Sequence, residues 1–258
     1  MKFLDWLKIP ESKNIAGLDD REVTIEHANI LRKKPFLQNL YVDFYSRLKA
    51  AIPQPDKKTI IELGSGGGFI KEVIPNAVTS DVLDVPGVDK VFSACRMPFE
   101  PESVDAFVMF DVLHHIPQPR VFFSEALRCL RTGGKIVMIE PANTLWSKFI
   151  YKNFHHEGFD TKAGWELEKG SPLWCGNDAL PWIIFSRDHA IFENEFPALK
   201  LVRIQNHTPL RYLLSGGFTL KQLVPSRAYG FVKLLEIVLS PLNCLIGMFQ
   251  TIELEKVR

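Results

Sequence analysis

Four glycines crowd into the five positions Gly64 to Gly68, directly behind the β-branched run "TIIEL". That pairing constrains the chain more than any other stretch. Glycine gives up the most backbone freedom on folding and offers the core no side chain. A cluster of them behind a hydrophobic strand therefore marks a place where bare main chain is needed. "KTIIEL" is short and apolar enough for a buried strand, and "GFIKEVI" beyond the loop reads as a helix. A loop between such a strand and helix sits where open α/β sheets receive ligands, at the carboxyl end of the strand.

The remainder of the chain repeats the alternation. Val23 to Ala51 shows helical spacing on both sides of Pro35, which predicts two helices or one kinked helix. "AVTSDVL", "DKVFSA" and "VDAFVMF" read as strands separated by turns. "VFFSEALRCLRTGG" reads as an amphipathic helix stopped by Gly133 and Gly134, and "KIVMIEP" as another buried strand. Strands alternating with helices predict a doubly wound α/β fold whose sheet is mostly parallel and covered on both faces.

Three boundaries follow for this single domain. Residues 1–57 form an N-terminal helical segment, 58–141 a ligand-binding half, 142–177 an inserted cap, and 178–258 a C-terminal half that resumes at "ALKLVRIQNHTPLRYLL". The insert is rich in aromatics (Trp146, Phe149, Tyr151, Phe154, Phe159, Trp165 and Trp174), which either wall an acceptor pocket or supply the insert's own core.

The 31 Lys and Arg balance 30 Asp and Glu, so there is no global basic field to draw the chain onto nucleic acid. Cys95, Cys129, Cys175 and Cys244 lack C-x-x-C pairing, which argues against zinc and against a disulfide framework, and for a reducing, cytoplasmic setting. The opening "MKFLDWLKIPESK" carries charges within its apolar start and reads as no export signal. The apolar stretch 229–249 is interrupted by Lys233, Glu236, Pro241 and Asn243, which suits a buried or interfacial helix pair better than a membrane span. It is the candidate for peripheral contact with the inner face of a membrane.

Spacing narrows what the glycine loop holds. A dinucleotide fingerprint starting at Gly64 requires glycine at the position of Phe69, and a phosphate-binding loop requires a Gly-Lys-Ser/Thr ending that is absent. The chain instead reads Glu62-x-Gly64-x-Gly66-x-Gly68. This resembles the first motif of the class I S-adenosylmethionine-dependent methyltransferases. "MPFEPESVDAFVMFDVLHHI" and "EALRCLRTGGKIVMIEP" are similar to later motifs of that family, in the same order.

The resemblance implies a seven-stranded Rossmann-like sheet and S-adenosylmethionine as cofactor. It implies that Gly64, Ser65, Gly66 and Gly68 bring main chain against the methionyl and ribose portion, with Glu62 ordering the loop and facing the ammonium group. Asp81, nineteen residues after Glu62, would accept from the ribose hydroxyls, with Asp84 as the fallback. Ser93 stands where many relatives carry an acid for the adenine amino group, and Ala94 and Cys95 would compensate through backbone. Asp111, His114 and His115 would lie near the reactive methyl.

Histidine is suited to accept a proton at neutral pH, which makes His114, His115 and, in the insert, His156 the catalytic candidates. The adjacent His155 and His156 do not match helical zinc spacing, so no metal is expected. The predicted activity is methyl transfer to a small-molecule acceptor, on an oxygen of a metabolite, sugar or lipid-linked intermediate. The alternative is a non-catalytic methyltransferase-like scaffold or cofactor sensor, for which Ser93 is the main support.

Overall fold

The structure is a computed structural model and describes residues 7–10, 20–154, 158–167 and 176–257. From residue 20 onward the chain forms α1 (Asp20–Lys33) and α2 (Pro35–Ala50). They divide at Lys34 because Pro35 occupies the first turn of α2, where its missing N–H costs nothing. Apolar residues at helical spacing, Phe36, Leu37, Leu40, Tyr41, Phe44, Tyr45 and Leu48, bury one face of α2 on the sheet.

Among the described residues seven strands form one sheet, in the order β3-β2-β1-β4-β5-β7-β6. They are β1 (Ile60–Leu63), β2 (Val78–Asp81), β3 (Lys90–Val91), β4 (Val104–Phe110), β5 (Leu130–Pro141), β6 (Leu199–His207) and β7 (Phe249–Lys256). β1 to β5 pair in parallel, and β7 inserts antiparallel between β5 and β6. β1 and the centre of β4 are buried throughout, as expected where a parallel sheet is covered on both faces.

The expected helix "GFIKEVI" is a single 3-10 turn, Ile70–Glu72. Only residues 69–77 separate Gly68 from β2, too few for a helix and its two connections. "DKVFSA" likewise forms only the two-residue β3. Helix α3 (Pro119–Cys129) stops before the two glycines, and β5 starts at once at Leu130, running through Gly133 and Gly134.

Helix α4 (Leu145–Phe154) opens the insert. Tyr151, Phe159 and Trp165 are buried, with Tyr151 and Phe159 stacked at 5.6 Å, whereas Phe149 and Phe154 are exposed. The insert's aromatics therefore divide between core and surface; Trp174 lies outside the described residues. Beyond the insert come α5 (His189–Glu195), α6 (Arg211–Ser215) and α7 (Tyr229–Val238).

A buried charge cluster fixes α7. Arg211 pairs through Nε with Glu236 and through a terminal nitrogen with Asp43 of α2. Lys233 Nζ reaches Asp43 at 2.8 Å, and the Tyr229 hydroxyl stands 2.6 Å from the same carboxylate. Two carboxylates and two cations share the cluster, so no charge is buried without a partner. Lys34 makes a second tie, donating to the carbonyls of Ser215, Gly217 and Leu220.

Candidate active site

Acidic residues converge on the carboxyl ends of four parallel strands: Glu62 in β1, Asp81 ending β2, Asp111 just past β4, and Glu140 near the end of β5. The register makes them neighbours, since Leu63 pairs with both Ser80 and Met109, and Phe110 pairs with Ile139. Glu62 is 3% exposed, and its Oε2 has no hydrogen-bond partner among the described residues. Burial pushes its carboxyl up to about 7, a hydrogen bond from Ser65 opposes the rise, and the charge of Asp81 adds to it. Asp81 is also raised by burial, against the pull of amide donors: Gly66 N–H reaches it at 2.8 Å and Leu83 N–H at 2.9 Å.

The glycines serve contacts within the chain as well as open space. Gly64 has φ of +67°, and a Cβ there would stand 2.5 Å from Val112 of the loop after β4. A Cβ on Gly67 would overlap Ala28, so the loop is where α1 sits down on the sheet. Gly68 faces the Tyr45 hydroxyl, which also accepts the Phe69 N–H at 3.2 Å. Of the three glycines in the alternating motif, only Gly66 keeps clear space, with Thr24 nearest at 3.6 Å. Ser65 ties the loop to β2, donating its N–H to Ser80 O at 2.8 Å and accepting the Ser80 N–H at 3.1 Å.

The loop after β4 is held from beneath. Glu140 Oε1 accepts the N–H groups of Val112 at 3.0 Å and Leu113 at 2.7 Å, and Oε2 lies 2.7 Å from His114 Nδ1. His114 Nε2 faces Asp178 at 3.6 Å. Asp111 adopts φ of +63°, with its N–H on Ile139 O at 2.8 Å. Ligand-type atoms of Asp111, His114 and Glu140 lie within 4.8 Å of one another, but both Glu140 oxygens are spent on the loop itself.

Residues 61–138 match the family described as a methyltransferase domain, spanning β1, the glycine loop, β4 and most of β5. Over that segment the chain carries a methyltransferase domain. Among solved structures, the methyltransferase fold is similar to a Thermotoga maritima protein described as a possible histamine N-methyltransferase. The identity is 14%, over 84% of this chain and 89% of that one, with a TM-score of 0.50. It is similar also to geranyl diphosphate C-methyltransferase from Streptomyces coelicolor A3(2), at 14% identity, 96% and 99% coverage and a TM-score of 0.50. No curated protein sequence matches the chain.

The methyltransferase residues fit the cofactor's chemistry. S-adenosylmethionine carries a positive sulfonium and an ammonium group, and the strand ends offer carboxylates, one with an unpartnered buried oxygen. Glu62 would meet the ammonium, Asp81 the ribose hydroxyls, and Gly66 the cofactor's approach to the main chain. Asp84 is exposed, and its carbonyl accepts from Arg21 Nε. Ser93 is exposed, and its hydroxyl accepts the Cys95 N–H at 3.2 Å within a local turn; Ala94 is half-buried beside it.

The histidines separate. His114 is 1% exposed, with its ring nitrogens facing Glu140 and Asp178. A base must reach the proton it removes, and both ring nitrogens of His114 are turned to carboxylates of the chain itself. His115 is half-buried, its ring 4.2 Å from that of His114. His156, like His155, lies outside the described residues.

Sequence reasoning missed Glu140, Val112 and Tyr41. Glu140 was signalled only by a lone acid inside "KIVMIEP". Tyr41 packs edge-on to Phe110 at 4.9 Å and also against Phe69 and Phe218. Burial, reinforced by Tyr212, Tyr45, Asp111 and Glu62, holds its phenol well above the ordinary range, so it remains protonated and able to donate. Aromatic side chains thus gather beside Asp111 at the end of β4.

Proposed function

We propose that this chain transfers a methyl group from S-adenosylmethionine to an oxygen of a small, hydroxyl-bearing acceptor, either a metabolite, a sugar or a lipid-linked intermediate. The convergence of Glu62, Asp81 and Asp111 on adjoining strand ends, beside the aromatic group of Tyr41, Phe69, Phe110 and Phe218, carries the reading. When bound, S-adenosylmethionine supplies an electrophilic methyl on sulfur. The chain's own contribution is positioning and exclusion of water, which suffice for much of the acceleration of such a displacement.

In that reading Glu140 and His114 set the loop that carries Asp111 and Val112, and Val112 closes on Gly64. The Tyr41 phenol donates to an acceptor oxygen, and the aromatic group keeps the site dry. His115 takes the hydroxyl proton, a role open also to His156. The local engagement of Ser93 favours one competing reading, a methyltransferase-like scaffold whose adenine recognition is lost.

Calorimetric titration with S-adenosylmethionine and S-adenosylhomocysteine, on the wild type and Asp81→Ala, tests the first half of the proposal. Release of S-adenosylhomocysteine in an acceptor screen, with mass spectrometry of the product, tests the second. Binding without transfer to any hydroxylated acceptor would favour the scaffold, and methylation at nitrogen or carbon would overturn the oxygen assignment.

A further inference from the structure

Helix α7 is inside out. Its exposed positions Phe231, Leu234, Leu235 and Val238 follow helical i, i+3, i+4, i+7 spacing and form an apolar stripe, with Phe231 71% and Val238 69% exposed. Its one acid, Glu236, is buried against Arg211. The chain then bends by 60° near Leu239 and carries the stripe on through Leu242 and Leu245. The turn Asn243–Ile246 packs against α4, which adds exposed Leu145, Phe149 and Phe154. No single helix among the described residues is long and apolar enough to cross a membrane.

The exposed charges that these segments themselves contribute have one sign. Segments 145–154 and 226–246 contain Lys148, Lys152, Arg227 and Lys233, and their sole acid is the buried Glu236. Lys148, Lys152 and Arg227 are exposed, and Lys233 keeps 45% of its side chain in solvent while reaching Asp43. An apolar stripe with a cationic border is the composition of a helix that lies in a membrane interface. A second copy of the chain is a poor occupant. A two-fold interface sets each patch against itself, facing cation to cation with no acid between them.

We infer that α7, the turn after it and α4 together form a surface that docks on an anionic lipid bilayer. The apolar side chains enter the headgroup boundary and the lysines and arginine meet lipid phosphates. The bend keeps the segment in the plane of the interface, and the Asp43–Arg211–Glu236 cluster presses α7 to the body of the protein so that its apolar face stays outward.

The test is flotation of the full chain with phosphatidylcholine vesicles, with and without phosphatidylglycerol, at low and high salt. The wild type should float with the anionic vesicles and be released by salt. Phe231→Gln, Leu234→Gln and Val238→Gln together should weaken binding at least about a hundredfold. Lys148→Gln with Lys152→Gln should weaken it by about fivefold per charge on anionic vesicles alone.

All these side chains are exposed, so an unchanged thermal melt certifies folding. Failure of the wild type to float at any composition would overturn the inference. So would a wild-type dimer that the triple variant turns into a monomer without any vesicle binding. Titration of the same preparations with S-adenosylhomocysteine reports separately on the methyltransferase reading.

Discussion

Affinity for S-adenosylhomocysteine should rise about sixteenfold between pH 5.5 and 7.0, and Glu62→Gln should abolish the rise. With its carboxyl at about 7, the ionised fraction of Glu62 grows from about 0.03 to about 0.5 over that interval. If only the carboxylate pairs with the ligand's ammonium group, apparent affinity follows that fraction. The interval ends below the titration of a typical α-amine, about 7.7 to 8.0, which keeps the ligand's own charge constant. Calorimetry at four pH values on both proteins is the assay.

A stability measurement checks the same group without ligand. The folded value lies above the ordinary 4.5, so the folded state holds its proton longer than the unfolded chain does. The cost is absent below the unfolded value, grows as pH rises and is complete above about 7. Glu62→Gln should therefore stabilise the ligand-free protein by about 3 kcal/mol at pH 8 and by almost nothing at pH 4.5. A flat affinity profile in the wild type, or the same slope in the variant, would refute the assignment of Glu62 to the ammonium.

Asp81→Ala should reduce cofactor affinity by at least about tenfold, since charge-assisted hydrogen bonds are lost; calorimetry reads this, with a melt to control for the loosened Gly66 amide. Gly67→Ala should destabilise by about 1 to 3 kcal/mol, because its Cβ would overlap Ala28, and urea unfolding checks it. Arg211→Met leaves Asp43 and Glu236 without their shared cation and should cost about 3 to 5 kcal/mol. Glu140→Gln should lower methyl transfer more than cofactor binding, since the loop beyond β4 loses its acceptor carboxylate; turnover compared with affinity separates the two.

The strand ends were legible because local composition marks them. A β-branched run before glycines and an acid after "VTS" are short-range signals, and both fell where the structure uses them. The roles of the individual glycines were not, since Ala28, Tyr45 and Val112, which decide them, stand far away in sequence. The helix expected at "GFIKEVI" failed on length, which periodicity does not count. Strand β7 went unread because its partners β5 and β6 are brought beside it only by the fold. His114 read as a base from its residue type, while its burial against Glu140 depends on a partner far away in sequence.

The two margins of the sheet end in different ways. On one side β3 is only two residues long, Lys90 and Val91, too short to template another strand. On the other, β6 runs for nine residues, but it carries Lys200 and Arg203 and its pairing with β7 shifts register between Leu201 and Arg203. Brevity guards the first border, and cations with a kink guard the second, so fibre-like growth by strand addition is blocked at both. Neither margin of the sheet is therefore a ready seam for joining one copy of this chain to the next.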